Sequence, residues 1–160
     1  MTTETKDTTL AVNDGEDTED TSVCFVCTGN TCRSPMAEAC LKSRGYKNVI
    51  SRGIAARDGD PISEFSALAL EESGIASTPD NDYKSHRAQN ITDGDMARAD
   101  LVYCMTSSHA RMLLFAFPQY AGKIHVMPDE ISDPFGGNLE TYKKTLAEIS
   151  SAIAELFPAI

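Results

Sequence analysis

Short apolar runs alternate along this chain with stretches in which apolar residues recur every three or four positions. Val23–Val26, Leu101–Met105 and Ile124–Met127 are nearly continuous apolar runs, as expected of strands buried on both faces of a parallel sheet, and Val49–Ile54 is a fourth strand candidate. The first helix is expected to follow Ser34 as its cap, with Pro35 at its first position, Met36, Ala39 and Cys40 as its apolar stripe and Gly45 as its stop. Phe65, Leu68 and Ala69 mark a second helix ended by Gly74, and Thr106 caps another that runs through Phe115. Leu139, Tyr142, Leu146, Ile149, Ile153 and Leu156 give the last helix a clear amphipathic face. The polar stretch from Ser77 to Asn90 reads as loop with some helix, and 128–138 as loop. Alternating strands and helices predict an α/β fold of three layers: a four-stranded parallel sheet with helices on both faces and right-handed crossovers. In such sheets ligands bind beyond the carboxyl ends of the strands, which directs attention to the loop from Cys27 to Ser34 after the first strand.

Composition and charge narrow the picture. A chain of 160 residues suits one domain with a substantial core. Of the net charge of −10, more than half falls before Ser22, where seven acids face one base, Lys6. That Thr-rich, apolar-poor segment, 1–21, reads as a disordered acidic tail, which leaves 22–160 as the folded domain. An acidic chain without a basic stripe is a poor nucleic-acid partner. No apolar segment is long enough to span a bilayer, and the N-terminus lacks the form of a signal peptide, so no membrane partner and a cytoplasmic location are expected. The five cysteines are odd in number and do not form a disulfide framework. Cys24, Cys40 and Cys104 sit in apolar patterns and read as core residues, whereas Cys27 and Cys32 lie in a polar loop. The three histidines, His86, His109 and His125, are scattered, so neither a metal site nor a cofactor is expected.

The loop itself carries chemistry. Gly29 and Asn30 accept positive φ most readily, so the backbone can turn its N–H groups inward as an anion nest. The following helix adds free N–H groups and the positive end of its dipole. Arg33 offers a guanidinium fork to two phosphoryl oxygens. Cys27, at the start of the loop, sits in the same positive field, which is expected to lower its pKa, and the Ser34 hydroxyl is placed to donate to sulfur or to the leaving side of a phosphate. A cysteine and an arginine at this spacing are a weak signal alone; the strand-to-helix setting and the Gly, Asn, Ser and Pro between and after them strengthen it.

The run Val26-Cys27-Thr28-Gly29-Asn30-Thr31-Cys32-Arg33-Ser34-Pro35 resembles the signature of the low-molecular-weight protein tyrosine phosphatases. The likeness extends from Ser22 to the C-terminus, through Ser85-His86-Arg87-Ala88-Gln89, the strand around Leu101–Met105 and the late Asp133-Pro134-Phe135-Gly136-Gly137. It implies that Cys27 attacks phosphorus, that Arg33 and the loop amides hold the phosphoryl oxygens, and that Asp133 protonates the leaving group and later activates water against a cysteinyl-phosphate. Thr28, Gly29, Asn30, Thr31, Cys32, Ser34 and Phe135 are then the residues around the bound phosphoryl and its leaving group. Taken without the phosphate loop, Asp133-Pro134 reads rather as a simple turn, and Asp129 is the nearest rival carboxylate. Asn30, Ser34, Ser51 and His86 match positions that support the loop in that family, although His86 is otherwise an ordinary histidine. The family commonly has Ser-Ala-Gly after the second strand; Ser51-Arg52-Gly53 departs from it.

Substrate choice turns on the rim. Phe135 is followed by Gly136-Gly137, so one aromatic wall used by tyrosine-specific members is missing, and Thr31 stands where many of them carry an aliphatic residue. Both features resemble the bacterial protein-arginine phosphatases of the family, in which that Thr discriminates. The expected partner is therefore a phosphorylated protein bearing phosphoarginine, with phosphotyrosine as the alternative; Thr31 as mere loop packing stays open. Arsenate reduction coupled to thioredoxin needs a later cysteine pair, and only Cys104 follows Cys40. A silent phosphate-binding module is the remaining rival. Cys32 is open between reversible pairing with Cys27 and simple packing.

Overall fold

In the computed structural model the described residues are 18–160; residues 1–17, most of the expected tail, lie outside them. Four strands, β1 (Val23–Cys27), β2 (Val49–Gly53), β3 (Leu101–Cys104) and β4 (Ile124–Val126), form one sheet in the order β2-β1-β3-β4. Every pairing is parallel, with Val23 opposite both Val49 and Leu101. The helices are α1 (Arg33–Lys42), α2 (Glu64–Glu72), α3 (Asp93–Arg98), α4 (Ser107–Ala116) and α5 (Leu139–Leu156).

β1 is buried throughout, and its two-residue period builds the three layers. Val23, Phe25 and Cys27 face the core that contains Met36, Leu41, Ile149 and Ile153 of α1 and α5. Cys24 and Val26 face the opposite core, with Met96, Ala110 and Leu113 of α3 and α4. Phe157, at the end of α5, stands edge-on to Phe25, Tyr46 and Tyr103 at 5.5–6.4 Å between centroids. Each such pair adds about 0.5–1.5 kcal/mol beyond the area buried, which ties the C-terminus to the central strands. Among the described residues no helix is long and apolar enough to cross a membrane.

The expected elements are present, with strand ends shifted by one residue. Three findings differ from the sequence reading. First, α1 begins at Arg33 with Cys32 as its cap residue, so Ser34 is not the cap and Pro35 is the third helical residue, still within the first turn where no intrahelical acceptor is lost. The Ser34 hydroxyl is engaged with sulfur instead. Second, α3 was not anticipated; its single fully buried apolar residue, Met96, leaves little periodic signal, and a capping box between Thr92 and Asp95 starts it. Third, Thr18–Thr21, assigned to the tail, are described residues, and two of them meet the body: Lys47 N–H donates to the Glu19 carbonyl at 2.9 Å and Asn48 Nδ2 to the Asp20 carbonyl at 2.9 Å.

Candidate active site

Cys27 is the last residue of β1 and Arg33 the first of α1, so the five residues between them form the crossover at the carboxyl edge of the sheet. The surrounding body grips this loop by its carbonyl oxygens. Ile54 N–H donates to the Cys27 carbonyl at 3.0 Å, Ala55 N–H to Thr28 at 3.0 Å and Ser63 N–H to Thr31 at 2.9 Å. His86 Nε2 donates to the Asn30 carbonyl at 2.7 Å. Every described peptide bond is trans, so an outward carbonyl turns the N–H of the next residue the other way. The N–H groups of Thr28, Gly29, Thr31 and Cys32 are therefore directed into the hollow of the loop, where the first turn of α1 adds its own. The cap residue Cys32 makes no side-chain hydrogen bond to that helix start, and the Ser34 N–H is directed at the Cys27 sulfur, so the first turn presents its N–H groups toward the nucleophile and an anion beside it.

Asn30 makes this geometry possible. Its φ is +58°, the one positive φ on a non-glycine residue among those described. Gly29, also expected to use that freedom, does not; it lines the cavity instead. Asn30 is fully buried, and its side chain is fully used. Nδ2 donates to Ser34 Oγ at 2.9 Å and to Ser51 Oγ at 3.0 Å, and Oδ1 accepts from Gln89 N–H at 2.9 Å. Ser51 donates onward to Glu38 Oε1 at 2.8 Å. Ser34 Oγ accepts from Asn30, and its hydrogen has two acceptors in reach, Cys27 Sγ at 2.9 Å and the more distant Arg52 carbonyl at 3.5 Å. Asn30 N–H also points at Cys27 Sγ, at 3.3 Å.

Burial raises the pKa of Cys27 above its ordinary value, against the expected lowering; Ser34, the Asn30 N–H and Arg33 all pull it down but do not outweigh desolvation. Arg33 is itself buried. One nitrogen donates to the Ile131 carbonyl at 3.1 Å, and another lies 3.7 Å from Asp133 Oδ2. Asp133 is exposed, and its Oδ1 accepts from the N–H of Phe135.

Cys27, Thr28, Gly29, Thr31, Cys32, Arg33, Asp133 and Phe135 thus border one cavity of about 340 Å³, with Asn30 and Ser34 buried beneath it. Asp129, the rival carboxylate, borders a different hollow beside Ser151 and Glu155. Cys32 is reduced like the other four cysteines, and its sulfur lies 3.5 Å from the Tyr142 hydroxyl. Arg52 is accommodated by an ion pair with the buried Asp95 at 2.9 Å, which staples α3 to the sheet.

Sequence reasoning missed several contributors. Gly53 is required by close approach: a Cβ there would lie 2.6 Å from the Thr28 carbonyl oxygen and 2.9 Å from Ala56 Cβ. A glycine closing a strand beside a candidate site is the signal by which the sequence could have revealed it. Arg57 and Asp60 form part of the cavity rim, and His109 packs behind Thr28; none of the three had a sequence signal.

Three comparisons bear on this geometry. Residues 22–160 match the family model described as low molecular weight phosphotyrosine protein phosphatase. A protein-arginine-phosphatase of Bacillus subtilis is 34% identical over 146 residues, covering 84% of this chain and 93% of the relative. A low molecular weight protein-tyrosine-phosphatase, PtpB, of Staphylococcus haemolyticus is 33% identical over 144 residues, covering 84% and 96%. Among solved structures, a mutant YwlE arginine phosphatase with a phosphorylated active-site serine superposes with a TM-score of 0.77 at 33% identity, covering 84% of this chain and 92% of the other.

Proposed function

Since the chain belongs to the low molecular weight phosphotyrosine protein phosphatase family, we propose that it removes phosphate from phosphorylated protein side chains, phosphoarginine ahead of phosphotyrosine. Residues 22–160 are taken as the catalytic domain and the acidic N-terminal segment as an appendage. The observation that carries this reading is the loop whose carbonyls are gripped from outside, which leaves its amides, Arg33 and the Cys27 sulfur around a single hollow.

The Cys27 thiolate attacks phosphorus while the loop N–H groups and Arg33 carry the charge of the equatorial oxygens. Asp133 enters as the carboxylic acid and gives its proton to the departing nitrogen as the P–N bond breaks. Water then attacks the cysteinyl-phosphate, the Asp133 carboxylate takes its proton, the S–P bond breaks and inorganic phosphate leaves. Phosphoarginine is favoured by the Thr31 hydroxyl on the cavity wall, by the single aromatic side chain Phe135 before two glycines, and by likeness to enzymes named protein-arginine-phosphatases. The PtpB relatives keep phosphotyrosine as the second reading. Five buried, reduced cysteines suit a reducing compartment, and we assign the enzyme to the cytoplasm.

The test is kcat/KM on matched phosphoarginine and phosphotyrosine peptides for the parent, Thr31→Ile and Cys27→Ala. The expected result is a parent preference for phosphoarginine, a shift of about tenfold or more toward phosphotyrosine in Thr31→Ile, and no turnover in Cys27→Ala. Turnover by Cys27→Ala overturns the mechanism; an unshifted ratio in Thr31→Ile removes the role given to Thr31.

A further inference from the structure

Behind the phosphate loop lies a buried titratable group that the chemistry above leaves unused. His109 sits in the first turn of α4 and is 4% exposed. Its Nε2 lies 2.9 Å from Thr28 Oγ1, on the residue that follows the nucleophile, and its Nδ1 lies 3.0 Å from Thr106 Oγ1. Thr106 is the cap of α4, and its Oγ1 also accepts from the His109 backbone N–H at 3.3 Å. α4 follows β3, the strand beside β1, so this histidine is delivered to the loop by the topology of the sheet.

The imidazole is neutral at physiological pH: burial and the Arg33 guanidinium bring its pKa down to about 4, against the smaller opposing pull of Asp133 and Glu130. A neutral imidazole has one donor and one acceptor nitrogen. Thr106 Oγ1 accepts the cap N–H, and in the tautomer protonated at Nε2 its own hydrogen goes to Nδ1. Nε2–H then donates to Thr28 Oγ1, and the Thr28 hydroxyl hydrogen is left to point elsewhere. Thr28 borders the cavity, and its carbonyl is held by Ala55 N–H. One residue of the loop is thereby clamped from two sides with a donor to spare.

We infer that His109 is a positioning residue for phosphoryl transfer, holding Thr28 through the chain Thr106–His109–Thr28 so that the Thr28 hydroxyl donates to a phosphoryl oxygen in the cavity. The inference rests on the reaction proposed at Cys27. A histidine that acts this way affects turnover only through Thr28, which separates it from one that merely fills the space between α4 and the loop.

The experiment measures kcat and KM for p-nitrophenyl phosphate, with melting temperature alongside, in the parent, His109→Ala, His109→Gln, Thr28→Val and the double variant His109→Ala/Thr28→Val. Each alanine or valine variant is expected to lose about tenfold in kcat with KM changed less than twofold. The double variant is expected to be no slower than the slower single one. His109→Gln, whose amide can still donate to the Thr28 oxygen, should recover most of the loss. A double variant slowed by the product of the two single effects overturns the inference. So does an unchanged kcat in Thr28→Val, or a His109→Gln variant no better than alanine. A parent without turnover sinks the phosphatase reading itself, whereas a parent that turns over beside unaffected variants sinks only the role of His109.

Discussion

The two sides of the cavity are built in opposite ways. On one side the phosphate loop has its carbonyls gripped by four residues from three other segments: Ile54 and Ala55, Ser63, and His86. Asn30 beneath it is wholly buried and spends both its amide nitrogen and its amide oxygen on neighbours. On the other side Asp133 has a side chain 57% exposed, and Phe135 is 80% exposed. Their segment is shaped mostly by itself, with the Asp133 side chain accepting from Phe135 N–H, Gly137 N–H returning to the Pro134 carbonyl, and Gly136 at φ +84°. In the reaction proposed above, the rigid side meets the part of the substrate that never varies, a phosphoryl group whose charge has to be met by donors already in place. The open side meets the leaving group, which differs among phosphoresidues and has to receive a proton and depart.

That division makes the largest predicted effect one of rate without stability. Asp133→Asn is expected to lower kcat by about 10²–10⁴-fold, the usual contribution of a positioned acid. Its ion pair with Arg33 spans 3.7 Å at an exposed carboxylate, so unfolding free energy should change by no more than about 1 kcal/mol. Kinetics combined with urea denaturation check both halves; a large loss of stability would show that the open side is held as firmly as the other. Gly53→Ala probes the rigid side and should lower both quantities. The new Cβ would meet the Thr28 carbonyl oxygen at 2.6 Å and Asn30 Cβ at 3.2 Å, and neither backbone nor buried Asn30 has room to yield. A cost of about 1–3 kcal/mol in stability and about 100-fold in kcat is expected. A variant of parental stability with parental kcat would mean that the loop is not over-determined.

The same contrast explains what was legible in the sequence. β1 and α5 announced themselves by periodicity, because burial imposes a spacing on local residues. Cys27, Arg33, Asn30 and Ser34 stood together in one run for the same reason: the loop that holds an anion is continuous in sequence. Its supports are not. Gln89, Ser63 and His109 bond to loop residues 32 to 81 positions away by way of tertiary packing, which no local pattern encodes. The role of Ser34 differs in part from the expected one because a serine before proline suits a helix cap, while the fold engages that hydroxyl with the Cys27 sulfur and starts the helix two residues earlier. The pKa of Cys27 shifts upward rather than downward because the positive field of the loop is visible in the sequence, whereas the depth of burial opposing it is not.

Ser34→Ala tests that last balance and is the smallest of the three effects. The Ser34 hydroxyl and backbone lower the pKa of Cys27, and only the hydroxyl is removed by the substitution. A donor that favours the charged sulfur holds the pKa down, so its loss raises the pKa further and shrinks the thiolate fraction at any pH below it. A hydrogen bond to a charged group is worth about 1.5–3 kcal/mol, which corresponds to a rise of about one to two pH units. The pH profile of Cys27 alkylation by iodoacetamide should therefore move upward in Ser34→Ala, and at neutral pH both alkylation and phosphatase turnover should fall about tenfold or more. At a pH above both thiol pKa values the two proteins should alkylate at similar rates, because the sulfur is then ionised in each. A profile that stays in place while turnover falls would show that Ser34 acts on the phosphoryl group or its leaving atom, and that the rigid side sets geometry alone.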